Sequence, residues 1–153
     1  MIKTNECEPW IGLGSSTSYA STTWILTICL RKTVAAKIGL PPEQVFKTLA
    51  VHGDRNGICL AVISANQELN FKALANQTGN RKIDMLPLKE VQALTGYIRG
   101  GVTALACKKD YPVYIDELAE ICDVISVSAG IRGLQILLVP ADYIRAVKAT
   151  LSS

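Results

Sequence analysis

The sequence predicts an α+β fold, with a mixed or antiparallel sheet and flanking helices, and three features predict it. Apolar stretches of strand length and amphipathic stretches of helix length follow one another irregularly, without the strict β-α rhythm of a doubly wound sheet. Strand leads directly into strand through Gly53-Asp54-Arg55-Asn56-Gly57 and again through Ala129-Gly130, both turn compositions. The 153 residues, 49% hydrophobic and 19% charged, suit one globular domain that buries roughly 70% of its unfolded surface.

The elements follow in order. Residues 1–30 are an atypical opening: Gly12-Leu13-Gly14 with the Ser/Thr patch after it reads as loop or disordered tail, and Trp24–Leu30 fits either a strand or the first turns of a helix. Residues 31–153 form the single domain. Arg31–Ile38 reads as a helix ended by Gly39 and Pro41-Pro42. Val45–Val51 and Ile58–Ile63 read as the two arms of a hairpin. Gln67–Gln77 is an amphipathic helix closed by Gly79, with Leu69, Leu74 and either Phe71 or Ala73 inward. Ile83–Leu86 is a short strand and Leu88–Leu94 a helix opened by Pro87 and stopped by Gly96. Pro112–Asp116, Val124–Ser128 and Leu134–Val139 read as strands, Glu117–Ile121 as a single helical turn. Pro140 opens a terminal helix to about Ala149.

Composition removes several function classes. Net charge is +3, a weak pointer to nucleic acid, but Arg81 to Lys109 holds six basic residues against two acids. This stretch suits an anionic ligand or an ordinary solvated face. The five cysteines are odd in number, widely spaced and lack a C-x-x-C pair, which argues against disulfides and zinc and for a reducing, cytoplasmic setting. Cys59, Cys107 and Cys122 lie in apolar runs and read as core. His52, the only histidine, precedes a turn and reads as a surface or hydrogen-bonded residue, not a catalytic base. No metal site, cofactor motif, catalytic triad or membrane-length apolar run is present in the sequence.

The remaining chemistry is a lysine with glycine-rich loops. Thr95-Gly96-Tyr97-Ile98-Arg99-Gly100-Gly101-Val102 is poor as helix and as strand and reads as an ordered loop with exposed N–H groups. Ser128-Ala129-Gly130-Ile131-Arg132-Gly133 is a similar piece. In Val45-Phe46-Lys47-Thr48-Leu49 the strand period makes Lys47 the one charge in an apolar row of Val45, Leu49 and Val51. Two readings fit Lys47, a pocket cation or an edge-strand lysine that discourages aggregation. Two fit the glycines, donors or tight turns. Together, one cation and loop N–H groups would suit polarisation of an ester carbonyl and stabilisation of its oxyanion.

These three segments, in this order, resemble the YbaK/EbsC family of free-standing Cys-tRNA(Pro) deacylases, itself similar to the editing insertion of bacterial prolyl-tRNA synthetases. The resemblance covers about Lys32 to Thr150. It implies a curved, barrel-like mixed sheet and hydrolysis of the ester joining an amino acid to the 3′ end of tRNA, with alanine as an alternative acyl group and a non-catalytic tRNA-binding module as an alternative role. It implies Lys47 as the side chain most tied to activity and Gly100 and Gly101 as the pocket floor. Phe46, Thr48, Tyr97, Arg99, Ser128, Gly130, Arg132 and Gln135 are implied as substrate-binding, Arg99 toward the tRNA backbone or the loop itself and Tyr97 in packing or in stacking on the terminal adenine. The substrate thiol would attack its own ester, so no protein nucleophile and no cofactor is needed. The implied partners are the tRNA acceptor end and prolyl-tRNA synthetase. Two features depart from the family pattern: residues 1–30, and Gln135, where some members carry an acid after Arg-Gly-Leu.

Overall fold

The computed structural model describes residues 12–14, 24–28, 40–98, 101–105, 107, 109–130 and 134–153, with backbone alone for residues 12–14, 24–28 and 134. The expected helix Arg31–Ile38 and the residues Arg99, Gly100, Lys108 and Arg132 lie outside them.

Two sheets form. In the first, β1 (Gly12–Gly14), β2 (Trp24–Ile28), β8 (Leu134–Leu138) and β7 (Ile125–Ser128) run antiparallel in the order β1-β2-β8-β7. The second has the order β5-β3-β4-β6-β9, from β5 (Ile83–Met85), β3 (Phe46–Gly53), β4 (Gly57–Ser64), β6 (Val113–Asp116) and β9 (Thr150–Ser152). Its β4–β6 and β6–β9 pairs are parallel and its other pairs antiparallel. A parallel bridge from Val45 to Ser126 joins the two sheets. The mixed α+β expectation holds. The sheets are not closed into a barrel, so "barrel-like" overstates the curvature.

Period two assigns each face of β3. Phe46 and Ala50 turn into a core with Leu60 and Val62 of β4, Val113 and Ile115 of β6, and Ile125 and Val127 of β7. The opposite face carries Val51 beside Cys59 and Ala61, covered by Leu74 and Ala75 of α1 (Phe71–Thr78). The first core is closed by α2 (Leu88–Thr95), through Val91, and by α3 (Pro140–Val147), whose Tyr143 is fully buried.

Three differences from the sequence reading have simple causes. Helix α1 begins at Phe71 because Asn70 caps it, its side chain accepting from the Ala73 N–H at 3.1 Å. Its inward residues are Leu74 and Ala75, while Phe71 is exposed. The terminal helix stops at Val147 because Lys148 takes a left-handed conformation, φ 53°, and the chain then adds β9 to the parallel edge of β6. Gly12–Gly14 pairs with β2 as a strand, and Trp24–Ile28 is a strand seated against β8.

Candidate active site

Lys47 stands on the face of β3 away from Phe46, opposite Ile63 of β4. It is half-buried, and its Nζ donates to the Gln67 carbonyl at 2.7 Å and to the Ala65 carbonyl at 3.4 Å. Both acceptors are neutral, and no carboxylate pairs with Lys47 among the described residues. Two of its three N–H groups are engaged, which leaves one for a ligand. β3 is an inner strand of its sheet, with β4 along its whole length on one side and, on the other, β5 along Val51–Gly53 and the single Val45–Ser126 bridge.

That bridge links β3 to β7. Two residues beyond this single bridge, β3 carries Lys47 on the side of Val45 and β7 carries Ser128 on the side of Ser126. Ser128 pairs with Gln135 of β8. Ser126 lies on the same face, fully buried, and its Oγ donates to Gln135 Oε1 at 3.1 Å. Gln135 is itself only 5% exposed. Ser126, Ser128 and Gln135 thus form a polar row on one face of β7 and β8, and Lys47 is the one charged residue on its face of β3, with Val45, Leu49 and Val51.

The glycine loop reaches this row from the end of β7. Gly96, at φ 82°, ends α2 in the left-handed region, and the Tyr97 N–H donates to Thr95 Oγ1 at 3.2 Å. The Tyr97 hydroxyl crosses the loop to donate to the Leu105 carbonyl at 2.7 Å. Its ring lies against Gly130, where an added Cβ would stand 2.7 Å from the ring edge. Gly130 also has φ 91°, and its N–H donates to Ser128 Oγ at 3.2 Å. Only glycine suits that combination of dihedral and close approach.

Several predicted site residues take other places. Phe46 and Thr48 alternate away from Lys47 into the core, Thr48 toward Tyr143. Gly101 is buried and its N–H donates to the Ile98 carbonyl at 2.9 Å, so that donor serves its own loop instead of facing an ester. Arg81, Lys82, Lys89 and Lys109 of the basic stretch are exposed, Lys82 against Asp84 at 3.1 Å. His52 is exposed beside its turn. Sequence reasoning missed Ser126, although period two through Val124–Ser128 puts it on the Ser128 face, and it missed the Gln67 carbonyl, for which no sequence signal exists.

Electrostatics argue against an activated thiol among the described residues. Burial pushes the Cys59 thiol up to about 11 and raises Cys107 and Cys122 as well, so these stay protonated and unreactive near neutrality. Burial, with Cys107 nearby, also raises the Tyr97 hydroxyl, which remains a neutral donor. Among the described residues no cluster of histidine, cysteine and acids could hold a metal. What these residues offer is one ammonium and several neutral hydrogen-bonding groups.

The family profile for the aminoacyl-tRNA editing domain matches residues 30–146. The chain is 47% identical over 109 residues to the candidate Cys-tRNA(Pro)/Cys-tRNA(Cys) deacylase EbsC of Enterococcus faecalis, covering 71% of this chain and 66% of that one. It is 28% identical over 106 residues to the multifunctional Ser/Thr-tRNA deacylase ProXp-y of Escherichia coli, covering 67% and 64%. The chain therefore spans just under two thirds of these relatives' lengths. A solved structure described as a candidate trans-editing enzyme for prolyl-tRNA synthetase superposes with a TM-score of 0.77 at 20% identity, covering 84% of this chain and 83% of that one, which shows a shared fold.

Proposed function

Since the chain belongs to the aminoacyl-tRNA editing domain family, we propose that it is an aminoacyl-tRNA deacylase acting on a small mischarged amino acid, Cys-tRNA(Pro) first among the candidates. The observation that carries this reading is Lys47, a cation tied to two neutral carbonyls and, among the described residues, to no acid. An ester carbonyl set against its third N–H would be polarised, and the negative charge that grows on the oxygen would be stabilised in place. For a cysteinyl ester the substrate supplies its own nucleophile. Its sulfur attacks the ester carbon, the bond to the ribose oxygen breaks, and that oxygen takes up the thiol proton. Water then opens the cyclic thioester. The absence of an activated thiol among the described residues agrees with this route.

The exposed Arg81, Lys82, Lys89 and Lys109 would meet the acceptor end of the tRNA, a contact that weakens with salt. Prolyl-tRNA synthetase is the natural presenter of such a substrate, and the cytoplasm its place. The test is deacylation of Cys-tRNA(Pro) and Ala-tRNA(Pro), with Lys47→Ala as control. Faster loss of cysteine than in buffer, abolished in Lys47→Ala, supports the reading. Loss of alanine alone moves the substrate to alanine. If neither ester is cleared faster than in buffer, the chain is not a deacylase of this kind.

A further inference from the structure

We propose that Ser64 is a positioning residue for Lys47: its buried hydroxyl holds the turn after β4 whose Ala65 and Gln67 carbonyls fix where the Lys47 ammonium stands. The inference rests on the deacylase reading above and names what aims the one cation of that site.

Lysine is a point charge on a flexible four-carbon stem. It stabilises an oxyanion only if it already stands where the charge will grow. Among the described residues no carboxylate holds Lys47; the Gln67 carbonyl at 2.7 Å and the Ala65 carbonyl at 3.4 Å do. Both lie past the end of β4, in the turn that leads from Ser64 to α1 at Phe71. Ala65 is exposed and Gln67 only half-buried, so packing alone does not hold these carbonyls. The ammonium is placed only as well as the turn is.

Four hydrogen bonds define the turn. The Ala65 N–H donates to the Val45 carbonyl at 2.7 Å, and the Gln67 N–H to the Ser64 carbonyl at 3.0 Å. Ser64 Oγ donates to the Glu43 carbonyl at 3.0 Å, and Asn66 Nδ2 to Glu43 Oε1 at 3.2 Å. The Asn66–Glu43 bond is exposed, where water competes for both partners. The Ser64 bond is the shielded one, since Ser64 is 1% exposed. Its acceptor stands on a stiff anchor. Glu43 sits in the 3₁₀ turn Pro42–Gln44, which follows Pro41. That turn is closed by the Gln44 N–H on the Pro41 carbonyl at 2.9 Å and by the Val45 N–H on the Pro42 carbonyl at 3.2 Å. The Ser64 hydroxyl thus ties the turn that enters β3 to the turn that leaves β4.

The hydroxyl has no role in the core that a methyl would not fill. Period two sets Ser64 on the core face of β4 with Leu60 and Val62, and the register sets it opposite Phe46. An alanine would continue that apolar row without the cost of desolvating a hydroxyl. Ser64 also points to the face away from Lys47, so it acts on the ammonium only through the backbone of the turn.

The experiment makes two measurements on the full chain, comparing the native chain with Ser64→Ala and Ser64→Cys, with Tm as the check on folding. The first is kcat and KM on whichever of Cys-tRNA(Pro) and Ala-tRNA(Pro) the native chain clears. The second is the rate at which acetic anhydride acetylates Lys47, relative to the exposed Lys89 of the same molecule, read from peptide masses. Ser64→Ala is expected to lower kcat by about tenfold with KM within about twofold of native. Its relative acetylation at Lys47 should rise by about threefold or more, because the amine leaves its two carbonyls more often. Ser64→Cys keeps a weak donor and should fall between; it carries the test if Ser64→Ala does not fold. Native kcat in the folded fraction, or a lowered kcat with unchanged acetylation at Lys47, overturns the inference and leaves the deacylase reading standing. If the native chain clears neither ester, the deacylase reading falls. The acetylation ratio then decides alone: a rise in Ser64→Ala supports the placing of Lys47 by Ser64, and an unchanged ratio overturns it.

Discussion

The two faces of β3 do opposite work from alternate residues. Phe46, Thr48 and Ala50 turn into the main core, where Phe46 is 2% exposed and packs among Leu60, Val62 and Val127. Lys47 and Leu49 turn the other way and stay half-buried, and Lys47 Nζ donates to the Gln67 and Ala65 carbonyls. Stability and chemistry are therefore separated by one residue along the chain. The strand can hold a cation in a fixed place because its other face is locked into the core. Substitutions on the two faces should fail in different ways, and that contrast can be broken by experiment.

The largest effect is expected from Phe46→Ala. Removing a fully buried aromatic ring leaves a cavity and should cost about 3–5 kcal/mol. Urea unfolding should show a markedly lower midpoint, and activity should fall only as far as the folded fraction falls. If the variant were stable and inactive, Phe46 would belong to the pocket and the division between the faces would be wrong. Lys47→Met is the matching change on the other face. Losing the one ammonium near the ester should lower kcat by roughly 10²–10³, as for removal of an oxyanion donor. Its stability cost should be about 1 kcal/mol, the net value of its hydrogen bonds to Gln67 and Ala65. A large fall in Tm with kcat preserved in the folded fraction would make Lys47 a structural tie.

Gly130→Ala comes next and probes where the loop meets the end of β7. A Cβ there would press the Tyr97 ring and would have to be held at φ 91°. The strain is about 1–3 kcal/mol, and it falls on the contact that seats the glycine loop over β7. Stability should drop moderately and KM should rise, because the loop is displaced from Ser128. Unchanged KM with lowered Tm would show that the loop seat does not touch the substrate.

Much of this was legible in the sequence, for reasons that also mark where legibility stops. Period two in Val45–Val51 isolated Lys47, and the turn residues Gly53–Gly57 and Ala129-Gly130 marked the hairpins, because these are local signals. The resemblance implied that the three segments meet at one site; the register sets Ser128 beside Gln135, and the Tyr97–Gly130 contact brings the glycine loop to the end of β7. Phe46 and Thr48 came along as neighbours of Lys47 in the motif, although alternation sends them to the core. The direction of the Gly101 N–H, the late start of α1 and the strand β9 depend on backbone geometry and tertiary pairing that no window of sequence carries. Ser126 needed the register of three strands before its partner could be named.

The smallest effect sharpens the same division from beneath the strand. Tyr143 of α3 is fully buried, and its hydroxyl lies near the Thr48 side chain but makes no hydrogen bond of good geometry among the described residues. Burial drives its ionisation far above the ordinary phenol range, so it remains a neutral, unsatisfied group at any physiological pH. An orphaned buried hydroxyl costs stability, whereas an apolar group of the same shape does not. Tyr143→Phe should therefore be neutral or stabilising by up to about 1 kcal/mol, read as an increased urea midpoint at unchanged m-value. Because Thr48 lies on the core face, the kcat of Tyr143→Phe should match that of the native chain. A stabilised variant with reduced kcat would show that the hydroxyl acts through Thr48 on the neighbouring Lys47, and that the two faces of β3 are coupled after all.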